Sequence, residues 1–298
     1  MIELPVQFIN TIIAVHGEDG KKWLSGLDEL IVYCEHRWQL KIQAISNLSF
    51  NFVARATFTD GSKAILKLGM PGKGIDSEIA ALQAFNGYGF CKLIDADPGK
   101  GVMLLECVEP GESLKCIPND EQATIIAAVL IQEIQQANPV FNYPFQTSDD
   151  WYNNLIILQQ RFGNEIIPKY LFDSAVAAYQ AIKANPHEQK LLHGDLHHEN
   201  ILYAGNDVWK AIDPKGLVTE TGSELIPFLM NNLTGKNIFQ TISERIEIFS
   251  KETGIDRQRI IQWGTFRSVL SVYWNIEDGL SVTDNDIIIC EVFYNLSR

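Results

Sequence analysis

His193-Gly194-Asp195-Leu196-His197-His198-Glu199-Asn200, followed by Ala211-Ile212-Asp213, is the stretch that decides how this chain is read. In generic form it is H-x-D-x4-N, then a strand ending in Asp. Phosphoryl transfer needs one carboxylate that orients a hydroxyl and accepts its proton. It also needs oxygen ligands that hold Mg²⁺ against nucleotide phosphates. Asp195 suits the first role. Asn200 and Asp213 suit the second, because Mg²⁺ prefers oxygen ligands.

The spacing supplies a geometric reason. Asn200-Ile-Leu-Tyr and Trp-Lys-Ala-Ile-Asp213 read as two strands around Gly205-Asn206-Asp207. With Asn206-Asp207 as a two-residue loop, 205 pairs with 208, 204 with 209, and 200 with 213. Directly opposed residues have Cβ atoms about 5 Å apart, so one metal could meet both side chains. The bland alternative makes Asp195 a turn cap and Asn200 and Asp213 polar strand ends. A zinc site on His193 and His197 lacks further Cys or His ligands nearby.

Working outward, Lys67 lies in Ala64-Ile-Leu-Lys-Leu68, an otherwise apolar strand. A lysine there is costly unless its amine meets an anion. Glu78 is the candidate partner. Ile75, Ala81 and Leu82 place it on the apolar face of a helix over 75–86, where an unpaired carboxylate is unfavourable. The alternative has Lys67 snorkelling from an edge strand and Glu78 exposed.

The rest of the pattern separates into two parts. Residues 6–35 carry helical periodicity interrupted at Gly17-Glu18-Asp19-Gly20. Phe52, Ala54, Ala56 and Phe58 alternate with Val53, Arg55, Thr57 and Thr59, the period of a strand. Asp60-Gly61 turns the chain into a return strand over 63–68. Residues 102–108 read as a buried strand and Pro110-Gly111 as a connector. Beyond it, helices are expected over 119–138, 149–162, 169–184, 238–253 and 256–276, with a small β segment from 191 to 213. The expected architecture is α+β in two lobes: a β-rich N-terminal lobe over 1–107 and a mainly helical C-terminal lobe over 108–298.

The 298 residues carry a net charge of -13. That leaves no basic footprint for nucleic acid and is compatible with a cationic partner. The odd set Cys34, Cys91, Cys107, Cys116 and Cys290 contains no CxxC pair. Reduced thiols are expected rather than a disulfide framework. Glu3 and Pro5 open the chain without a basic n-region, and no run approaches the ~18 apolar residues of a membrane span. A cytoplasmic protein without membrane partners is expected.

These residues resemble the aminoglycoside phosphotransferase family within the protein-kinase-like fold, and more narrowly its streptomycin 6-kinase and hydroxyurea kinase branch. The resemblance rests on residues 57–69 (TFTDGSKAILKLG), 92–114 (KLIDADPGKGVMLLECVEPGESL), 191–220 (LLHGDLHHENILYAGNDVWKAIDPKGLVTE) and 272–279 (VYWNIEDG). It implies ATP and Mg²⁺ as cofactors, Asp195 as catalytic base, and Asn200 and Asp213 as metal ligands. It implies that Lys67, oriented by Glu78, holds the α- and β-phosphates, and that Glu106, Cys107 and Val108 meet adenine through their backbone. Two segments depart from the family. The phosphate-covering loop Ser46-Asn47-Leu48-Ser49-Phe50-Asn51 contains no glycine. Thr219-Glu220-Thr221 and Glu224 stand where Gly-Asp/Glu-Pro and a further acidic residue are usual.

The acceptor is expected to be a small cationic molecule, a streptomycin-like aminoglycoside in the first reading. Trp274, Glu277 and Asp278 share one helix face, and with Glu220 they offer carboxylates and an aromatic plane to a guanidinium. Asp149 and Trp151 belong to the same expected wall. The alternatives are another small polar metabolite as acceptor, or a nucleotide-binding pseudokinase. A monomer or weak dimer is expected.

Overall fold

The alternation over 52–58 and the turn at Asp60-Gly61 build the first half of the molecule. The structure is a computed structural model describing residues 4–45, 48, 50–233 and 237–298, with Ala44 and Ile45 as backbone only. The chain divides into two compact units, Met1–Gly111 and Glu112–Arg298. The division thus falls after residue 111, not after 107.

The first unit opens with helices α1 (Val6–Ser25) and α2 (Leu27–Trp38). The expected interruption is real: Gly17 leaves the helical region with φ 57° and ψ -130°, a conformation only glycine adopts freely. Strands β1 (Leu40–Ile45), β2 (Phe52–Phe58) and β3 (Lys63–Leu68) follow, then helix α3 (Lys73–Phe85) and strands β4 (Leu93–Asp97) and β5 (Val102–Glu106). They form one antiparallel sheet in the order β1-β2-β3-β5-β4. At the β2–β3 turn Gly61 has φ 87° and its N–H bonds Phe58 O, as a short hairpin with a left-handed glycine requires. Phe52, Ala54, Leu66, Leu68 and Val102 face one way and pack with Phe8, Ile12, Leu27 and Ile31 of α1 and α2. Lys67, opposite Val53 and Met103, belongs to the other face.

The second unit comprises α4 (Asp120–Gln136), β6 (Gln146–Thr147), α5 (Ser148–Phe162), α6 (Lys169–Ala184), β7 (Lys190–Leu192), β8 (Ile201–Tyr203), β9 (Trp209–Ala211), β10 (Leu217–Thr219), α7 (Ile226–Met230), α8 (Ile238–Thr253), α9 (Arg257–Glu277) and α10 (Asp284–Leu296). Helix α9 is buried on every side from Ile260 to Leu270 except at Gln262. It packs against α5, α6, α8 and α10, the position expected of a helix without a polar face. Its Gly264 lets the ring of Phe293 from α10 approach. Two small sheets, β6-β10-β7 and β8-β9, interrupt the helices. No helix among the described residues is long and apolar enough to cross a membrane.

The β8–β9 hairpin differs from the expected register by one residue. Ile201 opposes Ala211 and Tyr203 opposes Trp209, and the Ile212 N–H bonds Asn200 O at 2.9 Å. The loop holds three residues, Gly205, Asn206 and Asp207, all with positive φ. Asn200 therefore opposes Ile212, not Asp213.

Buried charge is concentrated in this unit. Arg245, fully buried, bonds both carboxylate oxygens of Asp120 and the carbonyls of Phe228 and Asn231. Arg259 bonds Glu220 twice and the carbonyls of Ile182 and Asn185. Each ion is thereby compensated, as burial demands. Glu224 is less well compensated. Its Oε2 accepts from Gly194 N at 3.1 Å, while its Oε1 has no partner among the described residues.

Burial pushes the Glu224 carboxyl up to about 7, against the bonding from Gly194 and the charge of Arg267. In the unfolded chain it reverts to its ordinary 4.5. Between those values the native state keeps a proton that the unfolded state releases, so this group lowers stability as pH rises through the window. Glu224→Gln keeps an acceptor for Gly194 N and removes the titration. Relative to the parent, its unfolding free energy is expected to rise by roughly 3 kcal/mol between pH 4.5 and 7.5. Denaturant midpoints across that range check it, and a constant difference would show that Glu224 does not titrate there.

Candidate active site

In the first unit a buried lysine has found its anion. The Lys67 amine lies 2.7 Å and 2.8 Å from the two carboxylate oxygens of Glu78 on α3. Lys67 is 3% and Glu78 7% exposed. In that apolar setting the pair is worth keeping only whole, since removing one partner leaves an uncompensated buried charge. Glu106 ends β5, and its side chain accepts from Lys92 N at 2.9 Å. Cys107 is half-buried and Val108 buried; burial pushes the Cys107 thiol up. Of the glycine-free loop, Ser46, Asn47 and Ser49 lie outside the described residues.

In the second unit the 193–200 segment is a turn held from several sides. His193 is fully buried, and its ring bridges two backbone groups. Its Nδ1 accepts from Asp195 N at 3.2 Å, so its Nε2 carries the proton donated to Ile212 O at 2.7 Å. Burial pushes this imidazole down to about 4. Gly194 has φ 85°. A side chain there would meet Leu217 Cβ at 3.1 Å as well as straining the backbone. Asp195 follows and is half-buried.

Asn200 is oriented by its nitrogen. Its Nδ2 donates to Asp195 O at 3.0 Å and lies 3.2 Å from His197 Nε2. His197 Nδ1 lies 3.0 Å from Glu199 Oε2, and Lys115 holds Glu199 at 2.7 Å. His197 Nδ1 also lies 3.3 Å from Glu199 N. Both contacts of Asn200 engage its amide nitrogen, and Oδ1 has no hydrogen-bond partner among the described residues. Asp213 has φ 60°. This left-handed residue breaks the strand after Ile212, so the pleat no longer fixes the side-chain direction. An amide oxygen and a carboxylate are donors that suit Mg²⁺. No three His, Cys, Asp or Glu side chains form a metal-holding group among the described residues. A Mg²⁺ ion completed by nucleotide phosphates needs no such group.

The residues expected to meet the acceptor divide. Glu220 is not available to a ligand: it is 2% exposed. Its carboxylate is bonded by Arg259 at 2.5 Å and 2.6 Å and by the Trp263 indole N–H. Burial raises its pKa, but Arg259 and Trp263 outweigh that and hold it below its ordinary value. It anchors α9 to the chain after β10. Asp149 is likewise engaged, with Lys183 and Tyr179. Trp274 and Glu277 do line a common cavity of about 440 Å³ with Trp151, Asn153 and Asn154. Asn154 Oδ1 fixes the Trp274 indole N–H at 2.9 Å. Glu277 is exposed and lies 3.8 Å from Arg161, a weak pairing in water. Asp278 caps the end of α9 and is exposed. Reading the sequence assigns no role to Arg267, whose guanidinium carbon sits 4.1 Å from the centre of the Trp151 ring. An arginine in the mostly apolar stretch of α9 from Ile260 to Leu270 was the available signal.

The family described as aminoglycoside/hydroxyurea antibiotic resistance kinase matches residues 38–279. The streptomycin 6-kinase of Streptomyces glaucescens is 26% identical over 95% of this chain and 94% of its own length. The hydroxyurea phosphotransferase of Kitasatospora aureofaciens is 27% identical over 98% and 86%. Among solved structures, the choline kinase LicA of Streptococcus pneumoniae superposes with a TM-score of 0.67 at 14% identity, covering 90% of this chain and 98% of that one. An amicoumacin kinase with AMP-PNP and Ca²⁺ gives 0.66 at 16%, covering 93% and 95%. The chain is a small-molecule kinase of α+β, protein-kinase-like fold, and it belongs to the aminoglycoside/hydroxyurea antibiotic resistance kinase family.

Proposed function

We propose that this chain transfers the γ-phosphoryl group of ATP, with Mg²⁺, to a hydroxyl of a small cationic molecule such as a streptomycin-like aminoglycoside. The observation that carries this is the bond from Asn200 Nδ2 to Asp195 O at 3.0 Å. It joins a base and a metal ligand in one turn and leaves the amide oxygen for the metal. Asp195 orients the acceptor hydroxyl and takes its proton as the new O–P bond forms and the bond to ADP breaks. Asn200 and Asp213 hold Mg²⁺, which neutralises phosphate charge. Lys67, fixed by Glu78, holds the α- and β-phosphates, and the backbone of Glu106, Cys107 and Val108 meets adenine.

For the acceptor, the cavity beside Trp151 and Trp274 supports a polar, cationic group. Glu277 lines it and Asp278 lies one residue on. Relatives named for streptomycin and hydroxyurea support a small polar acceptor. A cytoplasmic site of action fits such a kinase.

Asp195→Asn is expected to lower kcat by about 10²-fold or more with ATP KM little changed, because a base acts on the transition state. Near-normal kcat in steady-state assays would remove Asp195 from the mechanism. Asp213→Ala is expected to abolish Mg²⁺-dependent turnover while circular dichroism and thermal melting stay those of the parent. Turnover that still responds to Mg²⁺ would reassign the metal site. For the acceptor, streptomycin, hydroxyurea, hygromycin B and choline form a suitable screen. Glu277→Gln with Asp278→Asn is expected to raise KM for the cationic acceptor, and added salt to weaken its binding, with ATP KM unmoved. A neutral or anionic best acceptor sinks this part and spares the kinase assignment.

A further inference from the structure

Three arginines are buried in the second unit, and they are not alike. Arg245 and Arg259 are saturated by carboxylates and backbone carbonyls. Arg267 is 4% exposed, yet its Nε and Nη1 have no partner among the described residues. Its Nη2 makes one long contact, 3.5 Å to Gly194 O. Glu224 repeats the pattern: 3% exposed, Oε2 on Gly194 N at 3.1 Å, Oε1 unpartnered among the described residues. Buried polar groups are normally satisfied, and an exception calls for a reason other than stability.

The two incompletely bonded groups meet at one residue. Glu224, from the turn after β10, takes the N–H of Gly194. Arg267, from α9, faces its C=O. Gly194 immediately precedes Asp195 and holds the left-handed φ of 85°. The other face of the Arg267 guanidinium is set by Trp151, 4.1 Å away, and the Trp274 ring lies 5.8 Å away. Those two rings line the cavity assigned to the acceptor.

We propose that Arg267 and Glu224 are positioning residues for the phosphoryl transfer, gripping the Gly194 backbone from both ends and tying Asp195 to the aromatic wall of the acceptor cavity. The proposal rests on the reading of Asp195 as the base. Burial lowers Arg267 to about 10, against the charges of Asp195 and Glu224, so it remains a cation at neutral pH. Stacked on Trp151 and facing Gly194 O, it transmits any shift of that wall to the base. Misplacement of a reacting group by about 1 Å can cost about 10²-fold in rate.

The experiment replaces the guanidinium by an apolar group of similar size and keeps an acceptor for Gly194 N, Arg267→Met with Glu224→Gln. The short backbone bond then survives and only the one long contact to Gly194 O is lost, so little stability is at stake. The double variant and Asp195→Asn are compared with the parent. Thermal melting is followed, together with ADP formation from Mg·ATP with streptomycin and with water as acceptor. The expected result is a melting midpoint within a few degrees of the parent, kcat lower by about 10- to 10²-fold, and ATP KM within about twofold. A folded double variant with kcat within about twofold of the parent overturns the proposal. So does one that fails to fold, because it assigns the pair to stability. If Asp195→Asn itself turns over normally, it is the base assignment that falls, whatever the double variant does.

Discussion

The turn over 193–200 depends on a constraint that few side chains can meet: one amide nitrogen must hold two neighbours of the turn while its oxygen stays outside that bonding. Asn200 meets it because Asp195 O and His197 Nε2 both engage the nitrogen. An aspartate in its place could not donate to Asp195 O, since an ionised carboxylate only accepts. The surroundings follow from that requirement. His197 Nδ1 meets both the carboxylate and the backbone N–H of Glu199, and Lys115 in turn fixes that carboxylate. His193 carries its proton on Nε2, because Asp195 N donates to its Nδ1 and Ile212 O accepts from its Nε2.

Buried charge is the second organising feature, and it serves different ends in different places. Lys67–Glu78 and Arg259–Glu220 are pairs with short contacts to both carboxylate oxygens. Their geometry suits holding elements in register, and each would leave a costly lone ion if one partner were removed. Lys67 differs from Arg259 in one respect. An ammonium is a compact point charge with three rotatable donors. The guanidinium of Arg259, by contrast, has its planar fork committed to Glu220.

Much of this was legible from sequence, and the exceptions have physical reasons. The helices expected over 169–184 and 238–253 are the observed α6 and α8, because their apolar periodicity is continuous. The alternation over 52–59 set the sheet, and the apolar neighbours of Lys67 and Glu78 foretold their pairing. The β8–β9 register was missed by one because Gly205 joined the loop, and spacing alone does not reveal whether a hairpin loop has two residues or three. Helix α10 was missed because Ile287-Ile288-Ile289-Cys290 is a short apolar run that suits strand or helix. The capping box of Thr283 and Asp286 was its signal. Glu220 was misjudged as a ligand-facing acid because its partners, Arg259 and Trp263, lie about forty residues away. Neither composition nor local periodicity reports such a contact.

The same limit bears on how the cationic acceptor proposed above would be recognised. An aromatic plane beside carboxylates is an inviting seat for a guanidinium, but the Trp151 ring already carries Arg267 at 4.1 Å. A cation–π contact is worth about 0.5–2 kcal/mol. Repulsion between two cations about 6 Å apart, at an effective dielectric near 20, is about 3 kcal/mol. Repulsion wins, so a ligand cation is not drawn onto that ring. Trp274 is farther from Arg267 but has its indole edge committed to Asn154. The aromatic pair therefore acts as an apolar wall stiffened from behind. Recognition of such a cation would fall to carboxylates that are not already paired in the interior. Glu277 meets that condition, because Arg161, its ion-pair partner among the described residues, is 63% exposed and readily displaced. Glu220 does not, for all that its position in the sequence suggests it.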